Sequence, residues 1–312
     1  MNIHVLSNAN NSSSGLLELR PLALADEARF RKAIELEQPQ SWLYYFPFLF
    51  CFAQRREITL LWEEVNSSIC LYLLKTAKNG KQLALFVPPF PFSQEALAAA
   101  RRRLQSFNNG SSCRIVWAEE KYDEELRNSG LELDAREDEY IYGTHKVIFA
   151  AGSEFRHLRQ LLSRVKRLQG IEIRPFRESD QRSCLALLDH WYSQLTEEKG
   201  IKVYGYGYVK ACLENAFSFD HGSLAGQVIC IDKKIVGFTF GGPIHSGIGS
   251  IFVSISDHAI GGLGYLQRHQ FMASFPELAY FNDSSDTGRQ GLAHVKRQFN
   301  PVRMNRLSQA IG

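Results

Sequence analysis

The chain has 312 residues, 45% of them apolar and 22% charged, with a net charge of +3. This is the balance of a globular protein with room for two domains, and so small a net charge does not by itself imply nucleic-acid binding. A membrane-spanning helix is excluded: the longest aromatic-rich run, 41–53, falls short of the roughly 18 apolar residues a span needs, and Pro47 interrupts it.

Residues 1–15 are polar and rich in Asn and Ser, without a basic or an apolar signal region, and read as a disordered leader of a cytoplasmic protein. Residues 16–21 form a strand that enters a helix carrying Phe30, Ala33 and Ile34 on one face. The aromatic stretch 42–52 reads as core packing in preference to base stacking. Strands follow at 68–74 and 82–87, joined by a turn at Asn79-Gly80, a strong hairpin signal. A helix over 93–107 takes Ser93 as its N-cap, and a strand occupies 114–118.

A helix over 153–168 puts Phe155, Leu158, Leu161, Leu162, Val165 and Leu168 on one face and Arg156, Arg159, Arg164 and Arg167 elsewhere, as expected of a connector with a basic side. That side either lines a crevice between the halves or is simply solvated. Beyond it, a strand ending in Arg174-Pro175 and a helix with Leu185, Leu188 and Trp191 repeat the opening pattern about 150 residues later, which suggests a tandem α/β unit. A hairpin pairs 226–231 with 235–241, a strand covers 250–256, a helix 265–274 and a last strand 278–282. The expected division is therefore a leader (1–15), an N-terminal domain (16–151), a connecting basic helix (152–169) and a C-terminal domain (170–312).

The six cysteines lack any C-x-x-C spacing and read as buried thiols, while the nine histidines form no metal-binding pair, so no metal is expected. The chemistry concentrates where the last strand meets a helix. Asn282, Asp283 and Asp286 fall beside the helix N-terminus, Gly288 and Gly291 lie at its first turn, and Lys296 and Arg297 at its last. A plain reading makes Asp286 an N-cap and Lys296 a complement to the helix dipole. Upstream, Tyr204-Gly205-Tyr206-Gly207-Tyr208 reads either as an aromatic loop that closes over a substrate or stacks a terminal adenine, or as a surface loop.

The element order of the second half matches the GCN5-related acetyltransferase fold, in which a glycine loop after the fourth strand binds the pyrophosphate of coenzyme A. Gly262 and Gly264 stand in that place, with Ala259 where Gln or Arg is usual; the alternative is that these glycines serve a turn and close helix packing.

Over about residues 20–304 the chain resembles the C-terminal domain family of bacterial phosphatidylglycerol lysyltransferases. The resemblance rests on Tyr280-Phe281-Asn282-Asp283-x-x-Asp286-x-Gly288-x-x-Gly291-Leu292-x-x-x-Lys296-x-x-Phe299-x-Pro301, on Glu139-Tyr140-Ile141-Tyr142 and on Trp42-Leu43-Tyr44-Tyr45-Phe46. It implies an α/β fold of two tandem acetyltransferase-like domains, each a mixed, mostly antiparallel sheet flanked by helices. It also implies transfer of an aminoacyl group from aminoacyl-tRNA, bound by its acceptor stem, to an amine or hydroxyl on a small molecule, peptide or lipid. Under that resemblance Asp286 holds the donor's ammonium or accepts a proton, Asn282 orients a carbonyl, and Lys296 with Arg159 neutralises terminal phosphates. Asp283 is a candidate substrate-binding residue, with Arg156, Arg159, Arg289, Tyr204, Tyr206 and Tyr208. The family's basic groups are absent at Leu158 and Ala293, and Arg156, Arg289 and Arg297 are the candidates to replace them. Two alternatives stand beside this one: an N-acyltransferase using acyl-coenzyme A at Gly262 and Gly264, and a non-catalytic binding module with the same fold.

Overall fold

A computed structural model describes residues 19–77, 80–110, 113–198, 200–203 and 205–312; the expected leader, Asn79 of the expected turn, and Tyr204 lie outside the described residues. The first half opens with a two-residue strand β1 (Arg20–Pro21) and helix α1 (Glu27–Glu37), which buries Phe30, Ala33 and Ile34 and stops where Gln38 turns left-handed. Helix α2 (Phe46–Ala53) follows, with Pro47 in its first turn, where the missing N–H has no partner to lose. Strands β2 (Ile58–Val65) and β3 (Ser68–Ala77) form a hairpin whose two turn residues, Asn66 and Ser67, both have positive φ, matching the twist of the strands. Next come β4 (Gly80–Leu85), α3 (Gln94–Phe107) with Ser93 accepting from the Ala96 amide, β5 (Arg114–Glu119), α4 (Asp123–Asn128) and β6 (Glu132–Ala135).

Strand β7 (Glu139–Gly143) and helices α5 (Thr144–Phe149) and α6 (Arg156–Lys166) lead to the second half. There β8 (Ile171–Pro175), α7 (Gln181–Ser193), α8 (Tyr206–Asn215), β9 (Ala225–Ile231), β10 (Lys234–His245), β11 (Ile248–Ser256), α9 (Leu263–Ala273), β12 (Tyr280–Asn282), α10 (Gln290–Arg297), β13 (Arg303–Asn305) and β14 (Leu307–Ile311) complete the fold.

These strands build two seven-stranded mixed sheets, in the orders β1-β2-β3-β4-β5-β14-β6 and β13-β7-β12-β11-β10-β9-β8. The halves exchange strands. β14, at the end of the chain, pairs antiparallel with both β5 and β6 of the first sheet, and β7, from the first half, pairs antiparallel with β12 and β13 of the second. An apolar core runs across the junction, because α2 packs on α8 and on the second sheet: Phe48 of α2 meets Tyr208 of α8 at 5.5 Å between ring centroids and Phe252 of β11 at 6.3 Å. Removal of these rings from water is the main force holding the halves together.

Two irregularities shape the second sheet. Phe240 of β10 faces Val253 and Gly241 faces Ile251, so Phe252 is an extra residue, a bulge that turns its ring toward α2 and α8. Parallel pairing of β11 with β12 covers only Ile248–Ser250 against Tyr280–Asn282, after which the two strands part. The bulge leaves no room for a side chain at Gly241, where a Cβ would run into the Ser250 carbonyl. Gly241→Ala should therefore lower stability by about 1–3 kcal/mol, the usual penalty for forced overpacking, seen as a lower denaturant midpoint with an unchanged slope.

Candidate active site

Where two parallel strands diverge, the gap beyond their carboxyl ends is a natural crevice. Here β12 ends at Asn282, and the chain turns through Asp283 and Asp286 to enter α10 at Arg289. Asp283 is 2% exposed, so its charge needs compensation inside the protein. Arg268 of α9 donates Nε to it at 2.9 Å, and the Tyr142 hydroxyl of β7 does so at 3.3 Å. The ammonium of Lys296, on α10, lies 3.7 Å from the same carboxylate. Lys296 is itself 1% exposed and donates to the backbone carbonyl of Asp283 and, at 3.2 and 3.3 Å, to the carbonyl and hydroxyl of Ser284. Burial brings its pKa down to about 8, against the opposing pull of Asp283.

Asp286 lies one turn further out and is half-buried. One of its oxygens accepts from the Tyr140 hydroxyl at 2.6 Å and the other from the Gly288 amide at 2.9 Å. Burial, and then the charge of Asp286, push the Tyr140 hydroxyl up to about 12, so it stays a donor. Arg289 is half-buried, donates Nε to Thr287 at 2.9 Å, and has its pKa lowered by burial between Tyr208, Asp286 and Arg268. Tyr208 of α8 packs at 5.5 Å on Phe48 and 6.3 Å on Trp42. The arrangement is a rim of one carboxylate, one phenol and one guanidinium over a sealed base of Asp283, Arg268 and Lys296.

Asn282 is fully buried, and both ends of its amide are engaged by protein. Nδ2 donates to the Gln40 carbonyl at 2.8 Å and to Glu139 at 2.6 Å, while Oδ1 accepts from the Ser284 amide at 2.7 Å. Its place is to hold the turn, not to face a ligand. Glu139 gathers further donors, Ser41 Oγ at 2.7 Å and Asn305 Nδ2 at 2.9 Å, and the Ser41 amide reaches Glu119 at 2.5 Å. A buried polar seam thus ties the first sheet and the loop at Gln40 to the foot of the site.

The basic connector does not meet these carboxylates. Arg159 Nη1 donates to the carbonyls of Ala150 and Gly152 at 2.6 and 2.7 Å, closing the end of α5, and Arg156 is exposed. The cations around Asp283 come instead from α9 and α10. Nor does Lys296 share a site with Arg159, because its ammonium is sealed beneath the turn. Gly262 is the N-cap of α9, and a Cβ there would lie 2.7 Å from Val165 of α6, so its missing side chain serves helix packing; beside Gly264 the nearest atoms are at 3.6 Å or more. Tyr206 and Tyr208 stand in the first turn of α8 and not in a loop. The Tyr206 hydroxyl bonds Asp189 at 2.6 Å, whereas Tyr208 packs its ring among Trp42, Phe48 and Phe252.

Sequence reasoning missed Arg268, Tyr140 and Tyr142 as site residues, and Glu139 as their anchor. One signal was present: a lone arginine among Leu263, Leu266, Phe271 and Met272 has to be paired when its helix face is buried. The alternation of Glu139-Tyr140-Ile141-Tyr142 likewise sends the two phenols to one face of a strand.

The family described as phosphatidylglycerol lysyltransferase, C-terminal, matches residues 48–308. A conserved protein of unknown function from Bacteroides thetaiotaomicron superposes with a TM-score of 0.78 at 18% identity, covering 94% of this chain and 98% of that one. The C-terminal domain of a putative lysylphosphatidylglycerol synthetase from Agrobacterium fabrum gives 0.63 at 13% identity, with 92% of each chain covered. L-PGS from Bacillus licheniformis gives 0.64 at 15% identity, with 91% of each covered. No curated protein sequence matches the chain. The shared architecture is that of two tandem acetyltransferase-like units. Among the described residues no helix is long and apolar enough to cross a membrane.

The seam makes stability depend on pH. Burial raises Glu119 and Glu139 to about 7, against an ordinary carboxylate value of 4.5, with the hydrogen bonds to Glu139 and the nearby Lys121 ammonium at Glu119 pulling the other way. Between those two values the folded chain holds protons that the unfolded chain has released, so stability falls as pH rises from about 5 to 7. The urea midpoint should drop over that interval, and Glu139→Gln, which keeps an amide in the seam but cannot ionise, should make the drop shallower.

Proposed function

The chain belongs to the family of phosphatidylglycerol lysyltransferase C-terminal domains, and from that premise we propose that it is an aminoacyl transferase whose donor is an aminoacyl-tRNA ester and whose acceptor is an amine or hydroxyl. The observation that carries this reading is the rim over Asp283: Asp286, hydrogen-bonded by Tyr140 and accepting at its backbone carbonyl from the Arg289 amide at 3.0 Å, stands on the turn that leaves β12 where its pairing with β11 ends. An ester of this kind is already activated, so the protein has to align the acceptor, take up its proton and stabilise the oxyanion of the tetrahedral intermediate.

In the reaction the acceptor's N–H or O–H gives its proton to Asp286 while its heavy atom bonds to the ester carbonyl carbon. The carbonyl oxygen becomes an oxyanion beside the Arg289 guanidinium. Collapse breaks the carbon–oxygen bond to the ribose, and the leaving hydroxyl recovers the proton from Asp286. The Tyr140 hydroxyl keeps the Asp286 carboxylate turned to the gap. Asp283, Arg268, Lys296 and Asn282 act below, as positioning residues that hold the turn rigid. A coenzyme A donor is less well supported, because the close contact at Gly262 is made by α6.

Asp286→Asn should lower the rate of aminoacyl transfer, followed with a radiolabelled aminoacyl-tRNA, by about 10²–10⁴-fold, as expected for loss of a general base, while leaving the melting temperature nearly unchanged because the amide can still accept from Gly288. Arg289→Ala should cost about 10²–10³-fold in the same assay, the range for loss of one oxyanion donor. Equal transfer by wild type and Asp286→Asn would remove the proposed proton acceptor, and heat on titration with coenzyme A would favour the other donor. For the base of the site, Arg268→Ala leaves the Asp283 charge less compensated and should lower stability by about 3–5 kcal/mol.

A further inference from the structure

Outside the cleft, cations gather on the face of the first sheet beyond the end of α2. Lys75 of β3 is exposed and sits opposite Gln82 of β4. Arg114, at the start of β5, and Arg136, just past β6, both direct a guanidinium to the same atom, Gln309 Oε1 of β14, the former at 2.8 Å. Two guanidinium groups therefore lie side by side. Arg136 also rests on the Trp117 ring at 5.5 Å, and its buried Nε has no hydrogen-bond partner among the described residues. Arg55, after α2, rests on the Phe52 ring at 5.5 Å, and its Cγ lies 3.2 Å from where a Cβ on Gly207 would sit. None of these four cations is ion-paired to a carboxylate among the described residues. The nearest acid identified by contact is Asp134, at the sheet edge, which accepts from Gln309 Nε2 at 2.9 Å.

Electrostatics links the row. The Lys75 side chain is exposed overall, but its ammonium is held below the ordinary value by partial burial and then by the charges of Arg114, Arg55 and Arg136. Arg55 also acts on Tyr208, as does Arg289, which belongs to the rim of the cleft. Geometry supplies the link to the cleft at Arg55, which lies against Gly207, the residue before Tyr208 in α8. Unpaired cations crowded in this way repel one another, and a polyanion relieves that repulsion.

We propose that this row is the docking track for the phosphate backbone of the RNA acceptor stem whose 3′ end enters the cleft; the assignment rests on the donor reading above. Guanidinium groups lying on aromatic rings offer both charge and flat surface, the combination that suits nucleic acid. An anionic membrane surface fits less well, since membrane-binding faces add protruding apolar side chains to their cations. The large exposed apolar side chains, Leu36, Phe149, Leu168, Phe217, Val302 and Met304, are not members of the row.

The test uses the full chain and a deacylated acceptor-stem hairpin with a single-stranded 3′ extension, followed by fluorescence anisotropy over a range of salt. Wild type should bind with a steep salt slope. Lys75→Gln combined with Arg114→Gln, both at exposed positions, should weaken binding about tenfold or more and reduce the slope by roughly one for each phosphate no longer neutralised, with the melting temperature retained. Unchanged affinity and slope in that variant would overturn the track, as would failure of wild type to bind the hairpin. Binding to phosphatidylglycerol vesicles that is lost in the variant, with hairpin binding retained, would overturn it in favour of a membrane face. Transfer from a short aminoacyl-nucleotide ester, too small to reach the row, judges the donor reading separately. That activity should be equal in wild type and variant, and its absence from both would count against the donor reading and not against the track.

Discussion

An ionised carboxylate sealed inside a protein persists only where opposite charge and hydrogen-bond donors surround it, and Asp283 meets that condition through three different elements. α9 brings Arg268, α10 brings Lys296 and β7 brings Tyr142. Each contact fixes the orientation of the element that supplies it. The turn between β12 and α10 inherits its shape from this cluster, and the residues that face the gap, Asp286 and Arg289, inherit theirs from the turn.

The second constraint is the polar seam at Glu139. A glutamate excluded from solvent and holding Ser41, Asn282 and Asn305 at once joins a loop of the first half, the end of the last parallel strand and the edge strand β13. Apolar packing of α2 on α8 supplies most of the adhesion between the halves, but it is tolerant of sliding. Directional hydrogen bonds are not, and the seam sets how the first half stands relative to the cleft.

Much of the architecture was legible because its signals are local. Periodicity placed α3, α6 and α9, and alternating apolar runs placed β3, β4, β5 and the β9–β10 hairpin within a few residues. Asp283, Asp286 and Lys296 stood out because a polar turn between an apolar strand and a helix is unusual in composition. What stayed hidden depends on partners far apart in the chain. Nothing adjacent to Asn282 indicates that Glu139 and Gln40 occupy its amide, and nothing in the sequence spacing of Arg159 shows that it closes α5 in place of facing Asp283. The strand exchange is equally silent, because β7 and β14 are short and their apolar patterns fit either sheet.

That exchange has a consequence for how the molecule comes into being. β14 lies inside the first sheet, between β5 and β6, yet it follows every other strand of both sheets in the chain. The first sheet therefore stays without an inner strand until the whole second half has been synthesised. A chain cut short before Leu307 would leave the first sheet open between two strands made long before.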